Sequence, residues 1–393
     1  MLIDMFSELQ RAQPWTREYE GQIIEDTMEQ ARLADSLNYG CWWSVEHHGA
    51  VEFSLSSTPE LLNLLVAQNS TRMRIGHSGV LSPFNINHPI RIAERTSFLD
   101  IISGGRLEVG LARSAGAEWD AFGIDGSVTR DQMRELFHML PKMWNEEKFS
   151  WDSDLIRIPT RNIVPKPLQR PHPRLWQTCT SADAFHMAGE LGVGAIGVTL
   201  LTPLENLVVL HQAYLDGLAA STTSAGDTVN DQFGIFTFVH CAATRAEAIQ
   251  SRAAESVLWY VNRMPQVFET PRKILIDGIR GQLAPGAADT WESTGKDDME
   301  AEMDPDDPVP VIRLLNRQAL GYELDPEEAF EVLEPMDSMI IGDVDACLTK
   351  VKKYVDLGVD RLLCFQQYGW LSQEDVLGSI RRIGEEILPV VSA

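Results

Sequence analysis

Cysteine is scarce in this 393-residue chain, with only Cys41, Cys179, Cys241, Cys347 and Cys364. The number is odd, the spacing is wide and no CxxC pair occurs. That speaks against a disulfide framework and fits buried free thiols in a reducing cytosol. Long apolar runs are missing too. None approaches the roughly 20 residues that span a bilayer. The opening Met1-Leu2-Ile3-Asp4-Met5-Phe6 lacks the basic segment and apolar stretch of a signal peptide. A soluble, cytoplasmic protein is expected. Positive charge is also in short supply. Lys and Arg number 33 against 57 Asp and Glu, a formal net charge of −24. Such a chain repels phosphate backbones and anionic lipid, so neither nucleic acid nor membrane is an expected partner. A few local arginines can still hold a small anionic cofactor. No GxGxxG follows a predicted strand, and there is no GxxxxGK[ST] or GxSxG. Dinucleotide-binding, P-loop and serine-hydrolase readings lose their main support.

What the sequence does hold is an alternation of short apolar segments with longer amphipathic ones, the pattern of βα units. Strands are predicted at Leu2–Phe6, Cys41–Val45, Met73–Leu81, Arg106–Ala112, Leu175–Thr178, Ala195–Thr199, Phe233–Cys241 and Arg361–Phe365. Helices are predicted at Ile24–Leu37, Pro59–Leu65, Ile90–Ile102, Asp131–Trp144, Ala182–Leu191, Leu204–Leu218, Arg245–Val261, Val344–Leu357 and Glu374–Ile387. Pro59 suits a first helical turn, and Gly192 and Gly358 mark helix ends. Phe149–Pro167 reads as an extended excursion. The fold class is α/β, a single (β/α)8 TIM barrel over residues 1–393 with an insertion before the last strand. That insertion, Pro265–Pro335, is rich in Pro and Gly. It holds the acidic run from Lys296 to Asp307. Segments of this kind are lids or solvated surface insertions.

Barrel active sites lie at the C-terminal ends of the strands. Glu46-His47-His48 follows strand 2, Ser78-Gly79 and Leu81-Ser82-Pro83 follow strand 3, Arg113-Ser114 follows strand 4, and Cys179-Thr180-Ser181 follows strand 5. Arg113, Arg130 and Ser181 form a candidate phosphate site, because arginine binds phosphate bidentately and a helix N-terminus adds free N–H groups. Adjacent histidines on a strand point to opposite faces. No HxH or HExxH occurs, so no metal is expected. A histidine of near-neutral pKa suits proton transfer instead.

Several of these segments match one family. Trp42-Trp43-Ser44-Val45-Glu46-His47-His48 with Glu52-Phe53 resembles the second-strand motif of the bacterial luciferase-like flavin-dependent monooxygenases. Arg74-Ile75-Gly76, Asn87-His88-Pro89-Ile90-Arg91-Ile92-Ala93-Glu94, Leu99–Gly110 and Leu357–Leu363 resemble later parts of that family. The resemblance covers nearly the whole chain outside Pro265–Pro335.

That resemblance implies reduced FMN (FMNH2) as cofactor, lying across the barrel mouth. Arg113, Arg130 and Ser181, with Thr180 beside them, would bind its phosphate, and Glu94 would lie near the ribityl chain. Ser78-Gly79 would form a cis peptide beneath the ring, and Gly79 would ease close approach to it. His47 would be the catalytic acid/base, supported by Glu46 and His48. O2 would yield a flavin C4a-hydroperoxide that hydroxylates a small organic substrate or oxygenates it in Baeyer–Villiger fashion. Excluding water protects such a species, and the Pro265–Pro335 insertion would be the lid. Ala112 stands where the luciferases have a cysteine near the flavin, which weakens any expectation of light emission. A separate flavin reductase is the expected partner, since no nicotinamide-binding fingerprint is present. A homodimer through Pro59–Ser70 and His88–Ile102 is implied as well. The rival readings are a deazaflavin-dependent oxidoreductase on the same barrel, a non-catalytic flavin-binding barrel and a metal-dependent barrel hydrolase.

Overall fold

The computed structural model describes residues 1–392 apart from residues 13, 15, 270 and 283–302. Its framework is a ring of parallel strands: β1 (Leu2–Ser7), β2 (Cys41–Ser44), β3 (Arg74–His77), β4 (Leu107–Ala112), β5 (Arg174–Thr178), β6 (Gly194–Val198), β7 (Phe233–Cys241) and β8 (Arg361–Phe365). Each pairs with the next. β8 then pairs with β1, from Leu2 opposite Arg361 to Phe6 opposite Phe365. The sheet is therefore closed, as the alternating pattern predicts.

Strand alternation divides the residues between two surfaces. Ile3, Trp42, Ile75, Val109, Leu175, Ile235 and Leu362 are buried on the side that faces the helices. The opposite parity fills the barrel, and near the N-terminal ends of the strands it is charged. Arg361 Nη1 lies 3.1 Å from Asp4 Oδ2, with both side chains at most 2% exposed. Glu108 is paired with Arg74 at 2.5 Å and Arg174 at 2.7 Å. Two indoles cover these charges. Trp43 Nε1 donates to Asp4 at 2.8 Å and Trp176 Nε1 donates to Glu108 at 2.8 Å. The guanidinium of Arg361 lies over both rings. Space for the indoles comes from glycine: a Cβ at Gly76 would lie 2.4 Å from the Trp43 ring, and one at Gly194 would lie 2.4 Å from the Trp176 ring.

The helices follow their local signals. Pro59 opens Pro59–Asn69, Ser181 Oγ caps Ala182–Leu191 by accepting from Ala184 N–H, and Gly192 ends that helix at φ +66°. Gly192 to Gly197 spells GxGxxG, but it leaves a helix and enters β6, the reverse of a dinucleotide-binding turn.

Elsewhere the structure departs from expectation. The predicted strand Met73–Leu81 stops at His77. There the Ser78–Gly79 peptide is cis, as the family resemblance implies, and Val80–Leu81 resumes pairing with Leu111 and Ala112. Phe149–Pro167 holds an antiparallel hairpin, Phe149–Asp152 with Arg157–Arg161. The predicted helix Arg245–Val261 is two helices, Arg245–Gln250 and Ala253–Phe268, because Arg252 takes φ 60° between them. Inside Pro265–Pro335 the described residues form helices Arg272–Ile279, Pro310–Ala319 and Pro326–Leu333. Residues 296–302 of the acidic run lie outside the described residues. Helix Gly116–Phe122 and strand Ile340–Gly342, which pairs with the end of β7, were not anticipated.

Gly76→Ala drives a methyl into the Trp43 ring, and overpacking of this kind costs roughly 1–3 kcal/mol. A urea midpoint equal to that of the unsubstituted protein would show that the barrel interior has slack at this point.

Candidate active site

β2 delivers Glu46, His47 and His48 to the barrel mouth. Glu46, 5% exposed, is fixed from three sides. Its Oε2 accepts from Leu81 N–H at 2.8 Å, its Oε1 accepts from Asn87 Nδ2 at 2.9 Å, and His48 Nε2 lies 3.2 Å from Oε1. That hydrogen bond holds the His48 pKa above its ordinary value. The backbone N–H of His47 donates to Ser56 O at 3.0 Å. Its ring meets Phe53 and Phe268 edge-on, with centroids at 6.2 and 5.4 Å.

Glu118, on the unanticipated helix Gly116–Phe122, completes this cluster. Its Oε1 lies 3.3 Å from His47 Nδ1 and accepts from His48 N–H at 2.7 Å, while Ser114 Oγ donates to Oε2 at 2.5 Å. Burial pushes the Glu118 pKa upward, but these hydrogen bonds and the charge of His47 outweigh it and leave the pKa below the usual range. Burial also opposes charge on His47. The hydrogen bond and charge of Glu118, with Glu8 and Glu46 behind it, win and raise its pKa. An ionised Glu118 can only accept, so His47 Nδ1 carries its hydrogen toward Glu118. Nε2 is then the nitrogen that exchanges a proton with the site.

Glu8 was also missed. It is the first residue beyond β1 and only 3% exposed. Reading the residue after β1 in the way that Glu46 is read after β2 points to it. No comparable signal exists for Glu118, whose partner lies 71 positions away.

The other candidates occupy neighbouring strand ends. Ser78 N–H donates to Ser44 O at 2.8 Å. A Cβ at Gly79 would lie 2.6 Å from Leu111 C and 2.9 Å from Ala112 N. The close approach that requires glycine here is thus to β4. Ala112 ends β4, half-buried. Arg113 donates to Thr129 Oγ1 through Nε at 3.1 Å and Nη2 at 2.9 Å. That contact brings the start of helix Thr129–Asn145, and with it Arg130, to the end of β4. Beyond β5, Thr180 is exposed and Ser181 is buried at its helix cap. Thr178 Oγ1 is buried and without a hydrogen-bond partner, and it shares the interior face of β5 with Trp176. Glu94 is half-buried on outer helix Pro89–Ile102, where its charge acts on the capping His88. Non-glycine left-handed backbone recurs around the mouth, with φ of 52° at Leu9, 67° at Glu52 and 69° at Ser114. Such conformations cluster at functional sites. Among the described residues, no group of three His, Cys, Asp or Glu is arranged to hold a metal ion. No described helix is long and apolar enough to cross a membrane.

The chain is a closed parallel barrel with a carboxylate-backed histidine at its C-terminal mouth. Residues 5–361 match the luciferase-like monooxygenases, and the chain belongs to that family. The oxygenase component of a flavin-dependent trigonelline monooxygenase from Acinetobacter baylyi is 28% identical over 398 residues, covering 100% of this chain and 96% of that one. Monooxygenase RslO1 from Streptomyces bottropensis superposes with a TM-score of 0.73 at 20% identity over 99% of each chain. The oxygenating constituent of 3,6-diketocamphane monooxygenase from Pseudomonas putida, a type II Baeyer–Villiger enzyme in complex with FMN, gives 0.72 at 16% identity, covering 99% and 98%. An F420-dependent secondary alcohol dehydrogenase gives 0.68 at 13% identity, covering 99% and 98%. At these identities the solved structures establish the shared fold.

Glu118→Gln removes the charge that favours protonated His47, so the imidazole should titrate at lower pH. Histidine NMR across pH 5–9 measures this, and an unmoved titration would mean that Glu118 does not set the state of His47.

Proposed function

We propose that this chain is the oxygenase of a two-component monooxygenase, taking reduced FMN from a separate reductase and oxygenating a small organic substrate with O2. The observation that carries this reading is the His47–Glu118 pair at the mouth of a barrel of this family. When bound, reduced FMN supplies the electrons that activate O2. The residues present fit such a group. Arg113, Arg130, Thr180 and Ser181 lie at the β4 and β5 ends, where they would hold the phosphate. Ser78–Gly79 would lie beneath the ring. The buried hydroxyl of Thr178 offers a hydrogen bond that no described residue satisfies.

The chain's own task is then to hold a proton and keep water out. His47, with Nδ1 fixed by Glu118, gives or takes a proton at Nε2. Its raised pKa lets it hold the proton to higher pH than an ordinary histidine, through the hydrogen bond and charge of Glu118 acting against burial. Glu46 and His48 brace that segment. Phe53, Phe268 and Phe122 supply an apolar lining, with Phe122 against His48 at 5.0 Å. The substrate is oxygenated by hydroxylation or by Baeyer–Villiger insertion. Residues 265–335 act as the lid. Phe268 packs on His47 and the Glu269 side chain lies where a Cβ at Gly116 would be, while Arg263, just before the segment, pairs with Glu52 at 3.3 Å.

Anaerobic titration with reduced FMN, followed by mixing with aerated buffer, tests the reading. Tight binding is expected, and Arg113→Ala should weaken it about tenfold or more, as loss of a charge-assisted phosphate contact does. His47→Ala and Phe268→Ala should divert turnover from product to released hydrogen peroxide. Failure to bind reduced FMN, with binding of a reduced deazaflavin instead, would replace this reading with hydride transfer.

The homodimer has a candidate surface. Leu61 and Leu65 on helix Pro59–Asn69 are 62% and 41% exposed, and Phe98 and Ile101 on helix Pro89–Ile102 are 57% and 45% exposed. An apolar patch on two adjacent helices suits a twofold interface. Sedimentation should show a dimer that Leu61→Asp with Phe98→Asp converts to a folded monomer; an unchanged mass would move the interface elsewhere.

A further inference from the structure

Glu8 has the surroundings of a group that is kept for its charge. Its Oε1 accepts from Tyr260 OH at 3.1 Å, and its Oε2 accepts from Gln10 Nε2 at 3.3 Å. Gln10 is itself fixed, donating to Phe53 O at 3.0 Å and accepting from Gly369 N–H at 3.0 Å. Ser54 Oγ donates to the Glu8 carbonyl at 2.7 Å. Leu9, at φ 52°, turns the chain immediately afterwards. Among the described residues, no lysine or arginine forms an ion pair with Glu8. The cation whose charge reaches it is His47, and the charge of Glu8 reaches His47 in return. Phe53 lies between His47 and the tyrosine bonded to Glu8, with its ring 6.2 Å from His47 and 4.5 Å from Tyr260.

A buried carboxyl without a cationic neighbour is expensive, because burial disfavours its charged form. Burial pushes Glu8 up to about 7, with His47 and the Tyr260 hydrogen bond pulling against it. A glutamine would accept from Tyr260 through its carbonyl without that cost. Packing therefore does not account for the carboxylate, whereas action on a neighbouring titration does.

We propose that Glu8 is a positioning residue for His47: ionised, it holds a proton on the imidazole; neutral, it relaxes that hold, and Tyr260 on the overlying helix sets the balance. This rests on His47 being the proton-handling group of the reaction. Several groups face the pair. Glu118 comes from helix Gly116–Phe122, Glu46 and His48 from the β2 segment, Tyr260 from helix Ala253–Phe268 and Gln10 from the segment after β1. His47 and Glu8 titrate as a coupled set within that field.

The test uses the full chain without flavin, with ring-15N histidine and His47 assigned by its loss in His47→Gln. Glu8→Gln should lower the His47 titration by about one pH unit, as loss of a nearby buried charge does. Tyr260→Phe removes a hydrogen bond that favours ionised Glu8, so it should shift His47 in the same direction by less. Should Glu8→Gln fail to fold, Tyr260→Phe carries the test alone. An unchanged His47 titration in a folded variant overturns the proposal. In the flavin-loaded enzyme, the alkaline limb of kcat/KM should move down in pH with the NMR titration. A shifted titration beside a fixed kinetic limb would keep Glu8 as the positioning residue and remove His47 from the reaction. The two readings therefore fail separately.

Discussion

Asp4 on β1 and Arg361 on β8 lie 357 positions apart, yet they meet inside the seam that closes the barrel. A buried ion pair adds little net stability, since desolvation consumes most of the Coulombic gain, but leaving one partner alone costs about 3–5 kcal/mol. Its value is therefore selective. Asp4 finds both Arg361 and the Trp43 indole only when the first and last strands pair in the observed register. A slip by one residue would turn Asp4 toward the helices and leave Arg361 without its carboxylate. Trp43 and Trp176 lie over this charged floor because Gly76 and Gly194 leave room for them. Closure, floor and glycines form one constraint.

With the N-terminal half of the barrel filled by these side chains, the candidate site lies at the C-terminal mouth. The charges there are sorted by position. Glu8, Glu46 and Glu118 gather round His47 and His48 near the ends of β1 and β2. Arg113 and Arg130 stand at the end of β4, beside the helix start at Ser181. The chain carries a net charge of −24, so a cationic corner is a local construction. A ligand with an anionic tail and a flat ring would lie with its tail at the arginines and its ring toward His47. The acidic end favours a proton on His47, which burial alone disfavours.

The barrel was legible in the sequence because apolar alternation and helix caps are local signals. Ser181 and Gly192 are where their caps predict. The break in β3 was not legible in the residue pattern, which runs on to Leu81; the cis Ser78–Gly79 peptide that causes it came only from the family resemblance. Helix Gly116–Phe122 is seven residues long, too short for a periodic signal. With it went Glu118, the partner that fixes the orientation of His47. The insertion misled in another way. Pro and Gly suggested loop, but Pro310 and Pro326 occupy the first positions of helices, which proline tolerates. Glu8 was readable in principle, since the rule that finds Glu46 after β2 finds Glu8 after β1.

One helix links these features. Ala253–Phe268 carries Tyr260, bonded to Glu8, and Phe268, packed on His47. Withdrawing it would remove a hydrogen bond that favours ionised Glu8 and admit water to the imidazole. The two changes act in opposite directions at His47: a weaker Glu8 charge disfavours its proton, while hydration relieves the burial that also disfavours it. Linkage makes the coupling reciprocal: whatever free energy closure adds to protonation of His47, protonation adds to closure.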